Sequence, residues 1–454
     1  MQNVNPYNHR RSFRGNYPHN WNGLLNNGIM KQVLTSAGVL ALSAASLCAL
    51  DPEMTRQASG SPFSVSGTVR GFYDDNINTA PDNSKAREDS FGFSVSPAVH
   101  VNLPFEQTFL SLGYVYTLSW YENRSPRNID QTHEFNAKLR HQFSPRQRIG
   151  VDDSFVFTSE PTIRDRSYGI NTDPTKGDTG RSRSSVYHNY GNIDYSLGLT
   201  PTLGLNLGYA NHWYDYTSDG EYSRSALLDR IEHLIRADLN YDFTPKLVGV
   251  VGYSFGFTTF TGDELIVLGS DLKSDDRNSR SHYAYVGADY DITAKLRASA
   301  RLGAQFTEYP DFDQSAANPY ADVSISYKIL SGTSIEAGVR HTRHATDVAS
   351  IDIDNDRPTL DAVSTAIYAQ LTHQITRQLS GSLLGQYQRS VFNEGKNDDR
   401  SEYLWLVGAN LAYSFNRHWS CELGYNYDQL ASKVQEGDRS YDRNRVYVGV
   451  TARY

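Results

Sequence analysis

Cysteine is nearly missing: the 454 residues hold two, Cys48 and Cys421. With Cys48 inside an N-terminal apolar stretch, Cys421 is left alone, so neither an internal disulfide framework nor a cysteine-based metal site can form. Long apolar runs are also missing. After about residue 60 nothing approaches the roughly 18 consecutive apolar residues that a membrane-crossing helix requires. Basic excess is absent too: 43 Lys and Arg stand against 51 Asp and Glu, for a net charge of −8. The first 49 residues contain Arg10, Arg11, Arg14 and Lys31 but no acid, so the remainder is more acidic still, which argues against nucleic acid as a partner. No composition shift or linker divides the chain after about residue 60, although its length alone would suggest two or three soluble domains. Catalytic and phosphate-binding signatures (His-Glu-x-x-His, Gly-x-Ser-x-Gly, the phosphate loop) do not occur. The reading is therefore of a protein that is not an enzyme and uses no cofactor.

What is abundant is tyrosine, phenylalanine and glycine, at 31, 19 and 34 residues, a mixture that favours β-structure once it alternates. The segment Met30–Leu50, "MKQVLTSAGVLALSAASLCAL", has the basic start, short apolar core and small-residue end of a secretory signal peptide. Cleavage is expected near Ala45 or Ala49. Residues 1–29 then read as an extended leader or as translation from an upstream start. Leu47 stands where a lipoprotein would need a small residue before Cys48.

From Phe63 onward one phrase recurs: alternating strand, short turn, alternating strand, longer polar loop. The short turns are "NLPFEQ", "QFSPRQ", "GLTPTL", "YDFTPK", "YDITAK", "YKILSGTS", "HQITRQ" and "YSFNRH". Several place Ser or Thr ahead of a turn residue, where the hydroxyl can bond locally to the backbone and proline presets φ. Eight such turns, with one strand before the first pair and one after the last, predict eighteen strands. Between turns the pattern has period two. Leu110, Leu112, Tyr114, Tyr116 and Leu118 oppose Ser111, Gly113 and Thr117; Leu296, Ala298, Ala300, Leu302 and Phe306 oppose Arg297, Ser299, Arg301 and Gln305. The last ten residues, "RVYVGVTARY", alternate in the same way and stop on Tyr454.

A soluble sandwich or propeller also alternates, but it does not keep its short connections at one end and its long ones at the other. A transmembrane β-barrel does both, with strands of about 9 to 11 residues in lipid and aromatic girdles at the two interfaces. Trp120, Tyr121, Trp213, Tyr214, Tyr403 and Trp405 are expected in the girdle near the long loops. Phe143, Tyr241, Phe243, Tyr327, Tyr413, Phe415 and Trp419 are expected near the short turns. In this all-β architecture the terminal strand closes the sheet against Phe63–Tyr73, leaving no edge in lipid. The division expected is 1–49 leader and signal peptide, 50–62 short periplasmic segment and 63–454 antiparallel barrel, too little chain before the barrel for a plug domain.

The ending Val448, Val450, Ala452, Tyr454 resembles the assembly signal of bacterial outer-membrane proteins. Residues 63–454 as a whole resemble Gram-negative outer-membrane barrels, and among them the putative β-barrel porin families. That resemblance implies residence in the cell outer membrane, contact with outer-membrane lipid, delivery by the barrel assembly machinery, and passive diffusion of small hydrophilic solutes, sugars among them. Some such porins accompany exopolysaccharide secretion, so an export channel is one alternative. A closed surface barrel that binds a ligand or host partner through its loops is another. Oligomeric state is left open.

Residues expected to face the lumen include a basic group, Arg297, Arg301, Lys328 and Arg340, together with Asp289, Asp291, Glu134, Arg140 and Arg236. Either they set a transverse field that filters solutes, or they pair across strands, as Asp289 or Asp291 could with Arg297 or Arg301. Asp352, Asp354 and Asp356 read as a solvated acidic loop rather than a calcium site, since the glycine turn and distal glutamate are lacking. Two loops are long enough to constrict a pore: 158–184, where general porins fold a loop inward and which mixes Arg164, Arg166, Lys176, Arg181 and Arg183 with Glu160, Asp165, Asp173 and Asp178, and the one containing "DELIVLGSDL", whose run Leu265–Leu268 calls for a packing partner.

Overall fold

The computed structural model describes residues 62–81, 84–125, 127–159, 185–330, 332–346, 348, 350–352, 357–435 and 439–454. The expected leader and signal peptide and most of the loop 158–184 lie outside these residues, as do Asp354 and Asp356.

The strands follow one another as hairpins. They are β1 (Phe63–Asp74), β2 (Ser90–Pro104), β3 (Thr108–Tyr121), β4 (Ile129–Ser144), β5 (Gln147–Thr158), β6 (Val186–Gly198) and β7 (Leu203–Tyr216). A one-turn helix α1 (Arg224–Leu228) precedes β8 (Arg230–Thr244), β9 (Leu247–Phe260), β10 (Ser279–Asp291), β11 (Leu296–Tyr309), β12 (Gln314–Leu330) and β13 (Thr333–Ala345). A two-rung ribbon, β14 (Ile351–Asp352) with β15 (Arg357–Pro358), sits in the next loop. Then come β16 (Asp361–Gln374), β17 (Leu379–Asn393), β18 (Ser401–Ser414), β19 (Trp419–Ser432) and β20 (Tyr441–Arg453). Apart from the ribbon, these form a single eighteen-stranded sheet in which every strand pairs antiparallel with its sequence neighbours.

The sheet closes through β1 and β20, in register from Ser66↔Arg453 to Asp74↔Arg445. The last residue takes part: Tyr454 N–H donates to Val65 O at 2.8 Å and Val65 N–H to Tyr454 O at 2.9 Å. Closure leaves no strand edge, the condition for backbone polar groups to survive in hydrocarbon.

The short turns work as their composition suggests. Thr244 Oγ1 accepts from Leu247 N–H at 3.0 Å, Thr293 Oγ1 from Leu296 N–H at 3.0 Å and Thr376 Oγ1 from Leu379 N–H at 3.0 Å. One hydroxyl thus satisfies the first donor of the returning strand. The strands, 12 to 17 residues long, exceed what a bilayer needs.

Burial runs opposite to that of a soluble globule. Val251, Val286, Leu302 and Val448 are each more than half exposed, while Arg236, Arg301, Arg340, Asp238 and Asp322 are buried. The apolar row is the outer wall and the polar row the inner one. This parity corrects two girdle expectations. Tyr121 and Tyr214 are buried, because Trp120 and Trp213, one residue earlier, take the outward positions.

Candidate functional site in the barrel interior

The inner face is a ladder of ion pairs, most of them between neighbouring strands and one across an intervening strand. On β8, Arg236 reaches Asp194 of β6 at 2.8 Å and Asp238 at 3.6 Å. On β11, Arg301 meets Asp289 of β10 at 2.9 Å, and Arg297 meets Asp291 at 3.7 Å. Arg340 of β13 pairs with Asp322 of β12, and Arg140 of β4 with Asp152 of β5 at 2.5 Å. Glu134 accepts from Asn136 Nδ2 at 2.8 Å. Lys328 is exposed near the short-turn end of β12. The basic group is thereby divided: three of its four members sit against carboxylates and the fourth stands at the rim.

Glycine lets these large side chains lie against the wall. Tyr285 of β10 crosses Gly252 of β9, where a Cβ would collide with its ring, to donate to Asp238 Oδ1 of β8 at 2.6 Å. Tyr447 of β20 crosses Gly424 of β19 in the same way and accepts from Asn410 Nδ2 of β18 at 2.9 Å. The rings and guanidinium groups span strands sideways rather than projecting straight inward.

A second network joins the closing strands. Arg445 donates to Asp74 at 3.0 Å and to Tyr121 Oη at 3.3 Å, and Arg443 donates to Asp428 at 3.0 Å. Lower on the seam Arg70 pairs with Glu422 at 2.7 Å. Sequence reasoning did not single out Asp74, Asp428, Arg443 or Arg445 as lumen residues, although for Arg443 and Arg445 the parity with Tyr447, on a strand whose Val446 and Val448 face outward, was a usable signal.

Toward the long loops the wall folds in. The β12–β13 ladder ends at Ala321↔His341, whereas β12 runs back to Gln314. Freed of that partner, the outer end of β13 leans on inward side chains. Gln305 of β11 accepts from Arg343 N–H at 2.9 Å and donates to Arg343 O at 3.0 Å, replacing a strand partner with a carboxamide. Arg343 pairs with Asp361 at 2.6 Å, and Tyr309 also donates to Asp361. The loop that follows, 346–360, sends Ile351 against an apolar cluster built by Val186, Tyr214, Tyr216, Leu227, Leu228, Ile266 and Leu272. That cluster gives the "DELIVLGSDL" run its packing partner: Ile266 is 1% exposed beneath α1, while Leu268 points out at 64%. Asp229 holds α1 in place, accepting from Tyr216 N–H at 2.7 Å and from Ser225 Oγ. Burial pushes its carboxyl up to about 6, against the lowering effect of those two donors.

No curated protein matches the chain. Solved structures with partial likeness include the outer membrane protein OpdK from Pseudomonas aeruginosa (11% identity, TM-score 0.41, covering 86% of this chain and 99% of that one) and OccK11 (OpdR) from the same organism (14%, 0.40, 86% and 96%). The siderophore receptor PirA from Acinetobacter baumannii is another (10%, 0.41, 86% and 80%). A family model, Putative beta-barrel porin 2, matches residues 63–454, the span from the first residue of β1 to the end of the chain. The chain belongs to that family and is a porin-like barrel of the outer membrane.

Proposed function

We propose that the barrel is a passive channel for small hydrophilic solutes, with sugars within its range. The observation that carries this reading is the arrangement of the inner wall, where opposite charges are paired along the sheet and large side chains lie over glycines. A wall of this kind offers water and solute hydroxyls a polar surface without a dominant sign of charge. Arg236, Arg301, Arg340 and Asp289 line the middle of the path in this reading, Arg140 and Glu134 another arc, and Arg297, Lys328 and Asp291 its periplasmic rim. Tyr283, Tyr285 and Tyr320, with ring centroids 5.5 and 5.7 Å apart, supply aromatic faces beside the ion pairs, a combination suited to sugar rings. Ile351 and the cluster around Ile266 set the constriction in this reading.

Single-channel recording of the refolded chain in a planar bilayer tests this. Steady ohmic conductance with a small reversal potential under a salt gradient is expected, together with a concentration-dependent reduction of current by added sugars. Silence from a demonstrably folded barrel would overturn the channel reading and favour a closed barrel that acts through its loops.

A further inference from the structure

The outward row carries scattered polar residues, among them His133, His233, His282 and Arg389, but at one place it holds a carboxylate in mid-strand. On β5 the outward row reads Ile149, Val151, Asp153, Phe155, Phe157. Asp153 shares its face with Phe155, whose ring packs on exposed Phe135 and Tyr187. On β6 the row containing Tyr187 and Ile193, both exposed, also holds Asn189 and Gly191; on β7 the row of exposed Leu207 holds Asn211. These polar residues are adjacent: Asp153↔Gly191 and Gly191↔Asn211 are register partners. Asn211 Nδ2 donates to Asn189 Oδ1 at 3.3 Å, and Asn189 Nδ2 donates to Asp153 Oδ1 at 3.1 Å. The side-chain oxygen of Asn211 lies over Gly191, in the space a Cβ there would take. Among the described residues, the other carboxylates with outward parity, Asp215, Glu308, Asp361 and Asp442, stand at strand ends; Asp153 is mid-strand.

A carboxylate facing hydrocarbon is costly, and such groups mark contacts or sites. Asp153 can accept about four hydrogen bonds, yet among the described residues it receives one, from Asn189. We propose that the β5–β7 wall is the docking face for a second copy of this chain, forming a two-fold dimer within the membrane. The patch is self-complementary: its acceptor is on β5 and its donors are on β6 and β7. A two-fold axis along the membrane normal near β6 sets β5 of each copy against β7 of the other, so that each carboxylate meets carboxamide donors.

The test uses the full chain in native outer membranes, in a Cys421→Ser background. Ile193→Cys on β6 should give an adduct of twice the chain mass on oxidation with copper–phenanthroline, and Leu423→Cys on β19 should not. Native mass in mild detergent should be that of two chains. Adding Asp153→Leu and Asn211→Leu to the Ile193→Cys chain should lower adduct yield about fivefold or more. Heat-modifiable mobility should be kept, because both changes suit lipid. Asp153→Asn, which keeps an acceptor, should retain most of the adduct. A monomeric or trimeric mass, adducts of another size, equal adducts from both cysteine positions, or undiminished yield in the leucine variant would each overturn the proposal.

Discussion

The two faces of β11 differ as much as any two regions of this molecule, although they are one residue apart. Leu302 is 54% exposed and Arg301 is 6% exposed. In a soluble domain those figures would be reversed. Here the leucine's solvent is lipid, and the arginine is covered by Asp289 and by its neighbours on the inner wall. Low exposure on this chain therefore identifies not an apolar core but a polar lining, and the residues that keep the barrel in its membrane are those that look least protected.

The sharpest way to break this comparison is to exchange the chemistry of the faces. Leu302→Asp or Leu112→Asp places a charge in the lipid-facing band, and the amount of folded barrel in outer membranes should fall about tenfold or more. Ser111→Asp, one residue away on the inner face, should assemble at close to wild-type levels. Equal losses from both would end the facing assignment. Gly303, although inward, is not a usable control. It sits against the carbonyl of Ala284 and the backbone of Tyr285, so a side chain there would fail for steric reasons.

On the inner face, Arg301→Ala should leave Asp289 enclosed without its partner and lower unfolding stability in urea by about 3 kcal/mol, the lower part of the range for breaking a buried pair. The double change Arg301→Ala with Asp289→Ala should recover most of that loss, since it removes the stranded charge as well. A single variant as stable as the wild type would mean that the inner wall is wet enough for water to replace the guanidinium.

Much of this comparison is legible in the sequence. Thr244, Thr293 and Thr376 announce their turns by local chemistry, and once the turns are placed, the strand count and closure follow. Period two then assigned Leu302 and Arg301 to opposite faces. Pairing between adjacent strands, such as Asp289 with Arg301, could be named as an option because it depends only on register. Contacts that skip a strand could not. Arg236 reaches Asp194 because Gly208 lies between them, and Tyr285 reaches Asp238 because Gly252 does. The inward fold of β13 is further from the pattern, since Gln305 and Arg343 are brought together by the early end of a ladder. That depends on tertiary geometry, and no periodicity records it.

A smaller effect concerns the seam. Tyr454 joins the β1–β20 closure through its backbone, yet its side chain is 93% exposed. Tyr454→Ala should leave the urea midpoint of the refolded barrel within experimental error of the wild type, but slow its appearance in outer membranes several-fold if the terminal aromatic is read during assembly. Pulse–chase labelling of heat-modifiable protein separates the two. Unchanged assembly would remove the recognition role and leave Tyr454 as a strand end like any other.

The smallest effect lies above the wall, where neither lipid nor lumen sets the chemistry. Asp229 holds its proton up to about 6 in the folded barrel, whereas the same carboxyl released from the loop would titrate near its ordinary value of 3.8. Between those values the native state binds the extra proton, so stability of the α1 region falls as pH rises across that window and is level above it. Amide exchange at Ala226, Leu227 and Leu228, corrected for intrinsic rates, should show protection declining about several-fold from pH 4 to 6.5. Asp229→Asn, which keeps the acceptor for Tyr216 N–H but does not titrate, should give a flat profile. Protection that rises with pH would mean that the ionised carboxylate is the form the loop prefers, and that its two donors outweigh its burial.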